Sequence, residues 1–247
     1  MTHQPQHTFK MEFVVRTYEV NQFGLATFQT IANYLQEAAS IHAEGLGFGY
    51  SNMVSRGIAW VLVRLSVQMD AYPGWKEKVT VKTWPSFIDT VYAYRDFTIY
   101  NSQNHAIGKA TSQWAIINLE SKKIVRPSSI NIELPEHTGR EFLPKYERIP
   151  SLSEPQHQLQ FNVRKSDLDL NRHVNNVKYI EWALEAIPET STGKMVPGYF
   201  DIVFRNETFY GDQIISEVFV QDKLVFYHSV KKANTEVARA ISEWKIF

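Results

Sequence analysis

The chain has 247 residues, 44% of them hydrophobic and 13% aromatic, enough for one large core or two small ones. Lys plus Arg balances Asp plus Glu at 26 each, which excludes a global field that would gather nucleic acid or an anionic membrane. Cysteine is absent, so disulfides, thiolate metal sites and a cysteine nucleophile are excluded as well.

The opening residues, Met1 to His7, lack the basic segment and apolar run of a secretory signal and the arginine-rich character of a transit peptide. No apolar run reaches spanning length. A cytoplasmic protein without membrane insertion is the expectation. Met11, Phe13 and Val15 alternate as in a strand, and Ile31, Tyr34, Leu35 and Ala38 give a helical stripe that Gly45 should stop. Strands are predicted over 60–69, 79–84, 92–100 and 110–119. Prolines 127, 135, 144, 150 and 155 mark 128–156 as a linker. Beyond it the order repeats: a strand through Leu159, Phe161 and Val163, a helix striped by Val177, Ile180, Leu184 and Ile187 and ended by Pro188, then strands over 200–209, 213–220, 223–230 and 238–247.

Shifting the numbering by 148 lays Val15-Arg16 on Val163-Arg164, Glu19 on Asp167, Thr27 on Asn175 and Glu37-Ala38 on Glu185-Ala186. Later, Lys109, Ala110 and Trp114 recur as Arg239, Ala240 and Trp244, and Gly74 and Gly211 mark similar turns. The expected fold is therefore α+β, one helix on an antiparallel sheet twice over, with an N-terminal unit over 1–127 and a C-terminal unit over 157–247. Two such sheets can pair edge to edge into one continuous sheet and leave an apolar groove suited to an acyl chain.

The two copies diverge at the turn into the helix. Asn21-Gln-Phe23-Gly-Leu25-Ala-Thr27 becomes Asp169-Leu-Asn171-Arg-His173-Val-Asn175, so Asn171 and His173 replace Phe23 and Leu25. Read as extended chain, Asp169, Asn171 and His173 share one face, and the helix that follows offers free N–H groups to a carbonyl oxygen gaining negative charge. Asp167, Asp169, Asn171, His173 and Asn175 also fit the odd positions of an EF-hand loop. Arg172 and Lys178 stand where its glycine and bidentate Glu belong, which leaves no metal site. Gly45-Leu-Gly47-Phe-Gly49 reads as a helix stop, and no HExxH, Walker A or GxSxG motif occurs.

The stretch Asp167-Leu-Asp-Leu-Asn-Arg-His-Val-Asn-Asn-Val-Lys-Tyr-Ile-Glu-Trp182 resembles the acyl-acyl-carrier-protein thioesterases of plants and bacteria, as do Arg16-Thr-Tyr-Glu19 and Asn33-Tyr-Leu-Gln-Glu37. The resemblance implies a double hot-dog fold and hydrolysis of fatty acyl-carrier-protein thioesters without a cofactor. It maps catalysis onto Asp169, Asn171, His173 and Glu207, with Glu207 in a stretch, Arg205-Asn-Glu-Thr208, whose last residue is Cys in the plant enzymes. It also implies that the first half shapes the acyl pocket, which Asn33, Gln36 and Glu37 would line or brace. Asn175, Thr208 and Asn33 are the expected substrate contacts. With no cysteine, water activated by a general base remains, either Glu207 or His173 taking the proton.

An acidic carrier protein as partner directs attention to Arg164, Arg172, Lys178, Lys231 and Lys232 as a docking patch, and a homodimer is compatible with the reading. The rivals are an acyl-CoA thioesterase, a hydratase or dehydratase on the same fold, and a non-catalytic acyl-binding protein.

Overall fold

The structure is a computed structural model that describes residues 7–130, 139–151, 153–189 and 193–247. Residues 1–6 of the opening segment, and Pro135 with the rest of 131–138, lie outside the described residues. The chain divides into two compact units, Met1–Leu143 and Pro144–Phe247, and the division falls within the stretch expected as a linker.

In the first unit β1 (Phe9–Val14) leads through a 3-10 turn, Thr17–Glu19, to α1 (Phe28–Gly45). Thr27 caps α1, its hydroxyl accepting the Thr30 N–H at 3.1 Å, a contact worth about 1 kcal/mol. The stripe Ile31, Tyr34, Leu35 and Ala38 is buried, as its spacing predicts. After Gly45 the Leu46 N–H returns to the His42 carbonyl and Gly47 turns the chain at φ +78°. A short helix, α2 (Tyr50–Ser55), then follows, unforeseen because six residues carry too little periodicity; it drives Met53 into a cluster with Ile58 and Ile116.

The sheet of this unit holds β2 (Ile58–Met69), β3 (Lys78–Ile88), β4 (Tyr92–Tyr100), β5 (Ala106–Asn118) and β6 (Ile124–Val125). Its antiparallel order is β1-β3-β4-β5-β2, with β6 against β5. Buried Asp96 on β4 accepts the Thr111 hydroxyl at 2.6 Å and the Glu141 N–H at 2.7 Å, which fastens residues after the undescribed stretch back onto this sheet.

In the second unit β7 (His157–Asn162) leads through a matching turn, Lys165–Asp167, to α3 (Asn176–Glu185). Val177 and Ile180 are buried; the helix stops three residues short of Pro188, whose ring disfavours helical backbone before it. The sheet runs β8 (Met195–Phe204), β11 (Thr235–Ile246), β10 (Val225–Lys232), β9 (Gln213–Val220) and β7, all antiparallel. Tyr199 on β8 accepts the Lys145 N–H at 2.8 Å, and Arg239 reaches the Ile149 carbonyl at 3.2 Å, so residues 145–149 are tied to this unit.

β3 runs four residues past the expected 84 and β5 begins four before the expected 110, but the largest correction is to β8. β8 begins at Met195 and ends at Phe204, whereas the sequence suggested 200–209. The Arg205 and Asn206 N–H groups both turn to the Val237 carbonyl, at 2.9 and 3.3 Å, which takes the chain off the ladder. Glu207 therefore sits on a loop, and Arg205 pairs with Glu236 at 3.6 Å.

Candidate active site

The turn before α3 is a tight hairpin, not the extended segment its alternation suggests. Asp169 Oδ1 accepts the N–H groups of Asn171 at 2.8 Å and His173 at 3.1 Å. The Asp169 N–H donates to the His173 carbonyl at 2.8 Å, the Arg172 N–H to the Asp169 carbonyl at 3.0 Å, and Leu168 bridges Val174. An Asp or Asn side-chain oxygen that mimics a backbone carbonyl is what makes a turn this short stable. Arg172 adopts φ +62°, a left-handed conformation that costs a non-glycine residue on the order of 1 kcal/mol. Asn171 and His173 thus owe their placement to Asp169.

The first unit holds the same hairpin without the chemistry. Asn21 Oδ1 accepts the Phe23 N–H at 3.0 Å and the Leu25 N–H at 3.2 Å, Val20 bridges Ala26, and Gly24 takes the left-handed place at φ +75°. Beneath it the Arg16 N–H meets Glu19 Oε2 at 2.7 Å, as the Arg164 N–H meets Asp167 Oδ2 at 2.7 Å. Thr27 and Asn175, the two helix caps, each donate their N–H at 2.9 Å to the carbonyl of that acid. The shift of 148 read from the sequence is a real structural duplication up to the helix. Burial pushes the Asp167 carboxyl up, but bonds from the Arg164 side chain and N–H, with Lys178 nearby, outweigh it and hold the group below the usual carboxylate range.

Glu207 comes from the loop after β8. Its partner is His173, whose Nδ1 lies 3.4 Å from Glu207 Oε1, with both side chains partly exposed. Nδ1 thereby faces the carboxylate and Nε2 turns away from it. Phe209 meets the imidazole edge-on at 5.2 Å between centroids. The two arms are joined by backbone, the Val174 N–H donating to the Thr208 carbonyl at 3.0 Å.

Hydrogen bonds also fix what stands opposite Glu207 in the first unit. Asp70 and Ala71 N–H groups share the Ile107 carbonyl as Arg205 and Asn206 share that of Val237, and Ala26 donates to the Pro73 carbonyl as Val174 does to Thr208. Gly74 N–H to Glu77 Oε2, 3.0 Å, repeats as Phe209 N–H to Asp212 Oδ2, 2.8 Å. These pairs place Tyr72 opposite Glu207, and Lys76 opposite Gly211. Setting Gly74 against Gly211 by residue type, an offset of 137, places Asp70 opposite Glu207 instead, and the hydrogen bonds correct that match. The first unit has no acid at this place, and Asn21 shows that Asp169 is the one member of the set whose structural duty exists in both copies.

Three further expected residues are located differently from one another. Asn175 is the N-cap of α3, its side-chain oxygen accepting the Val177 N–H at 2.9 Å. With Lys178 N–H bonded to the Asn175 carbonyl, the Asn176 N–H is the one in this first turn that no described residue accepts. Thr208 is fully buried, and its hydroxyl lies 2.7 Å from that of Tyr179. Asn33 is exposed on α1 of the first unit. Tyr179 is a residue the sequence reading passed over; the available signal was Ile31 at its place in the sister copy. Among the described residues no cluster of three or more His, Asp or Glu is suited to hold a metal ion. No helix among them is long and apolar enough to cross a membrane.

Comparison with known proteins follows the same division of the chain. Residues 6–131 match the model of the acyl-ACP thioesterase N-terminal domain, and residues 151–246 that of the acyl-ACP thioesterase C-terminal domain. Oleoyl-acyl carrier protein thioesterase 1, chloroplastic, of Arabidopsis thaliana is 32% identical over 204 residues, covering 74% of this chain and 55% of its own length. Palmitoyl-acyl carrier protein thioesterase, chloroplastic, of Gossypium hirsutum is 33% identical over 201 residues, 73% of this chain and 47% of its own. The chain thus spans about half the length of the curated relatives it matches. The crystal structure of an acyl-ACP thioesterase from Bacteroides thetaiotaomicron superposes with a TM-score of 0.88 at 27% identity, covering 97% of this chain and 98% of that one. The fold is the double hot-dog, and the chain belongs to the acyl-ACP thioesterase family.

Proposed function

We propose that this protein hydrolyses fatty acyl-carrier-protein thioesters to the free acid and the carrier thiol. The observation that carries the reading is the His173–Glu207 pair, present in the second unit and replaced by Leu25 and Tyr72 in the first. Family membership supports it independently.

In the proposed mechanism Glu207 holds the proton on His173 Nδ1, so that Nε2 is the free lone pair that takes a proton from water. The water oxygen adds to the thioester carbonyl carbon. The oxygen that becomes negative is met by the Asn171 amide and by the open Asn176 N–H at the head of α3. The C–S bond then breaks and the imidazolium returns its proton to the leaving sulfur. Asp169 acts on the turn, not on the substrate, and Asn175 and Thr208 act on α3 and on the Glu207 loop.

An acidic carrier is the proposed partner, and the ion pairs narrow where it would dock. Arg164 and Lys178 serve Asp167 and Glu181, Lys231 serves Glu217, and Lys232 serves Asp212. Of the five cations singled out in the sequence, Arg172 is exposed and forms no ion pair with a described residue, and it lies next to His173. A cytoplasmic location is part of the same proposal and is tested by cell fractionation.

The deciding assay is thiol release from acyl-carrier-protein and acyl-CoA substrates from short to long chain. Release from carrier substrates is expected, and His173→Ala should cut it by about 10²-fold or more. Absence of thiol release at every chain length, or dehydration of a β-hydroxyacyl thioester without thiol release, would overturn the reading.

A further inference from the structure

Glu207 stands on a loop, off the sheet ladder, yet its carboxylate must be held against His173. The residues on either side of it are both anchored. Before it, the Asn206 side-chain amide donates to the Glu236 carbonyl at 3.1 Å. After it, Thr208 is wholly buried, with its hydroxyl 2.7 Å from Tyr179 Oη and its carbonyl accepting the Val174 N–H. Tyr179 Oη also lies 3.5 Å from the Asn206 carbonyl, so one phenol spans the acid from both sides. Burial pushes the Tyr179 hydroxyl up, above its ordinary value, so it remains a neutral donor through the range in which His and Glu titrate. Its ring is fixed independently, by Trp182 at 5.4 Å and Phe204 at 5.7 Å between centroids.

The first unit supplies the control. Position 31 there is Ile and position 73 is Pro, the counterparts of Tyr179 and Thr208, while Tyr72 replaces the acid. The rest of the loop is kept: the shared carbonyl, the Ala26 bond to Pro73 and the Gly74 bond to Glu77. A hydroxyl pair serving only the fold would be expected in both copies. It accompanies the carboxylate alone.

We propose that the Tyr179–Thr208 hydroxyl pair is a positioning device for Glu207, acting on the reaction through the angle and distance at which the carboxylate meets His173. This rests on the hydrolase reading above. Tyr179 touches neither substrate nor water; it is a positioning residue. Two positions are thereby assigned a joint duty, Tyr179 from α3 and Thr208 from the loop, while the Val174 bond to Thr208 recurs in the first unit and belongs to the shared frame.

The test uses Tyr179→Phe and Thr208→Val, which remove a hydroxyl and keep the packing shape, with Thr208→Ser as the conservative rescue. Each of the first two should lower kcat by about 10- to 100-fold with KM little changed, the effect expected of a misplaced reacting group, and Thr208→Ser should restore most of it. In a Glu207→Gln background, Tyr179→Phe should lower the residual rate no further, because its effect passes through the carboxylate. An equal loss in both backgrounds, or a loss that follows thermal stability across all three variants, would overturn the positioning role while leaving the hydrolase reading intact. Near-normal turnover by Glu207→Gln in a folded protein would sink both the assigned role of Glu207 and this inference.

Discussion

His228 offers the sharpest quantitative test of the second unit's core. Its side chain is 1% exposed on β10, Nε2 is 2.8 Å from Ser242 Oγ, and Phe200 packs against the ring at 6.1 Å. Burial pushes the imidazole down to about 3, with the Ala183 backbone opposing, so it is neutral in the folded protein across the working range. In the unfolded chain it titrates near its ordinary 6.5. Between these values the unfolded state binds the extra proton, so stability rises with pH there. The contribution is complete above about 6.5 and is lost as pH falls toward 3. At about 1.4 kcal/mol per unit the ceiling is about 5 kcal/mol, and the loss at pH 4 is about 3 kcal/mol. His228→Phe removes the titration, and the fold has a precedent for the ring: Phe97, paired with Ala110 as His228 is with Ala240, fills the corresponding place in the first unit. Denaturant unfolding of both proteins from pH 8 to pH 4 should give a difference that grows in favour of the Phe variant by about 3 kcal/mol. The carboxylates titrate in both and cancel. A flat difference over that range would refute the reasoning.

Other outcomes follow from the loops and their anchors. Asp169→Ala and Asn21→Ala should each cost about 1–2 kcal/mol in unfolding free energy, because each orphans two turn N–H groups, while Asp169→Asn should leave stability nearly unchanged. Asp96→Ala should cost about 2–4 kcal/mol and make residues 140–142 accessible to protease, since the buried carboxylate receives both the Thr111 hydroxyl and the Glu141 N–H. Arg172→Glu should raise KM for acyl-carrier-protein several-fold and flatten its salt dependence, with turnover of an acyl-CoA of the same chain unchanged; an equal effect on both substrates would remove Arg172 from docking.

Much of the fold was legible because it depends on side-chain pattern. The stripes through Ile31, Leu35 and Ala38 and through Val177 and Ile180 encode their helices directly, and strands 92–100 and 213–220 lie where alternation put them. The end of β8 was not legible, because two N–H groups sharing the Val237 carbonyl is a backbone event that leaves no mark on residue type. The same event hid the partner of Glu207. Matching glycine to glycine gave Asp70, whereas matching Trp75 and Glu77 to Tyr210 and Asp212 gives Tyr72, in agreement with the hydrogen bonds. At the hairpin the contrast between copies pointed to Asn171 and His173. Asp169, expected to hold Asn171 and His173 in position, accepts the N–H groups of both, and Asn21 makes the same pair of bonds in the first unit.

The two hairpins differ in what they present and hardly at all in how they are held. Anchors and payload thus behave differently between the copies: Asn21 and Asp169, Thr27 and Asn175, and Glu19 and Asp167 make matching turn and cap bonds, while positions 23, 25, 31, 72 and 73 carry side chains unlike those of their counterparts. The first half is in this sense a frame with the fittings of the second and other side chains in five of its places. Those five positions define a transplant, Phe23→Asn, Leu25→His, Ile31→Tyr, Tyr72→Glu and Pro73→Thr, by which the same frame would be asked to carry the proposed reaction twice.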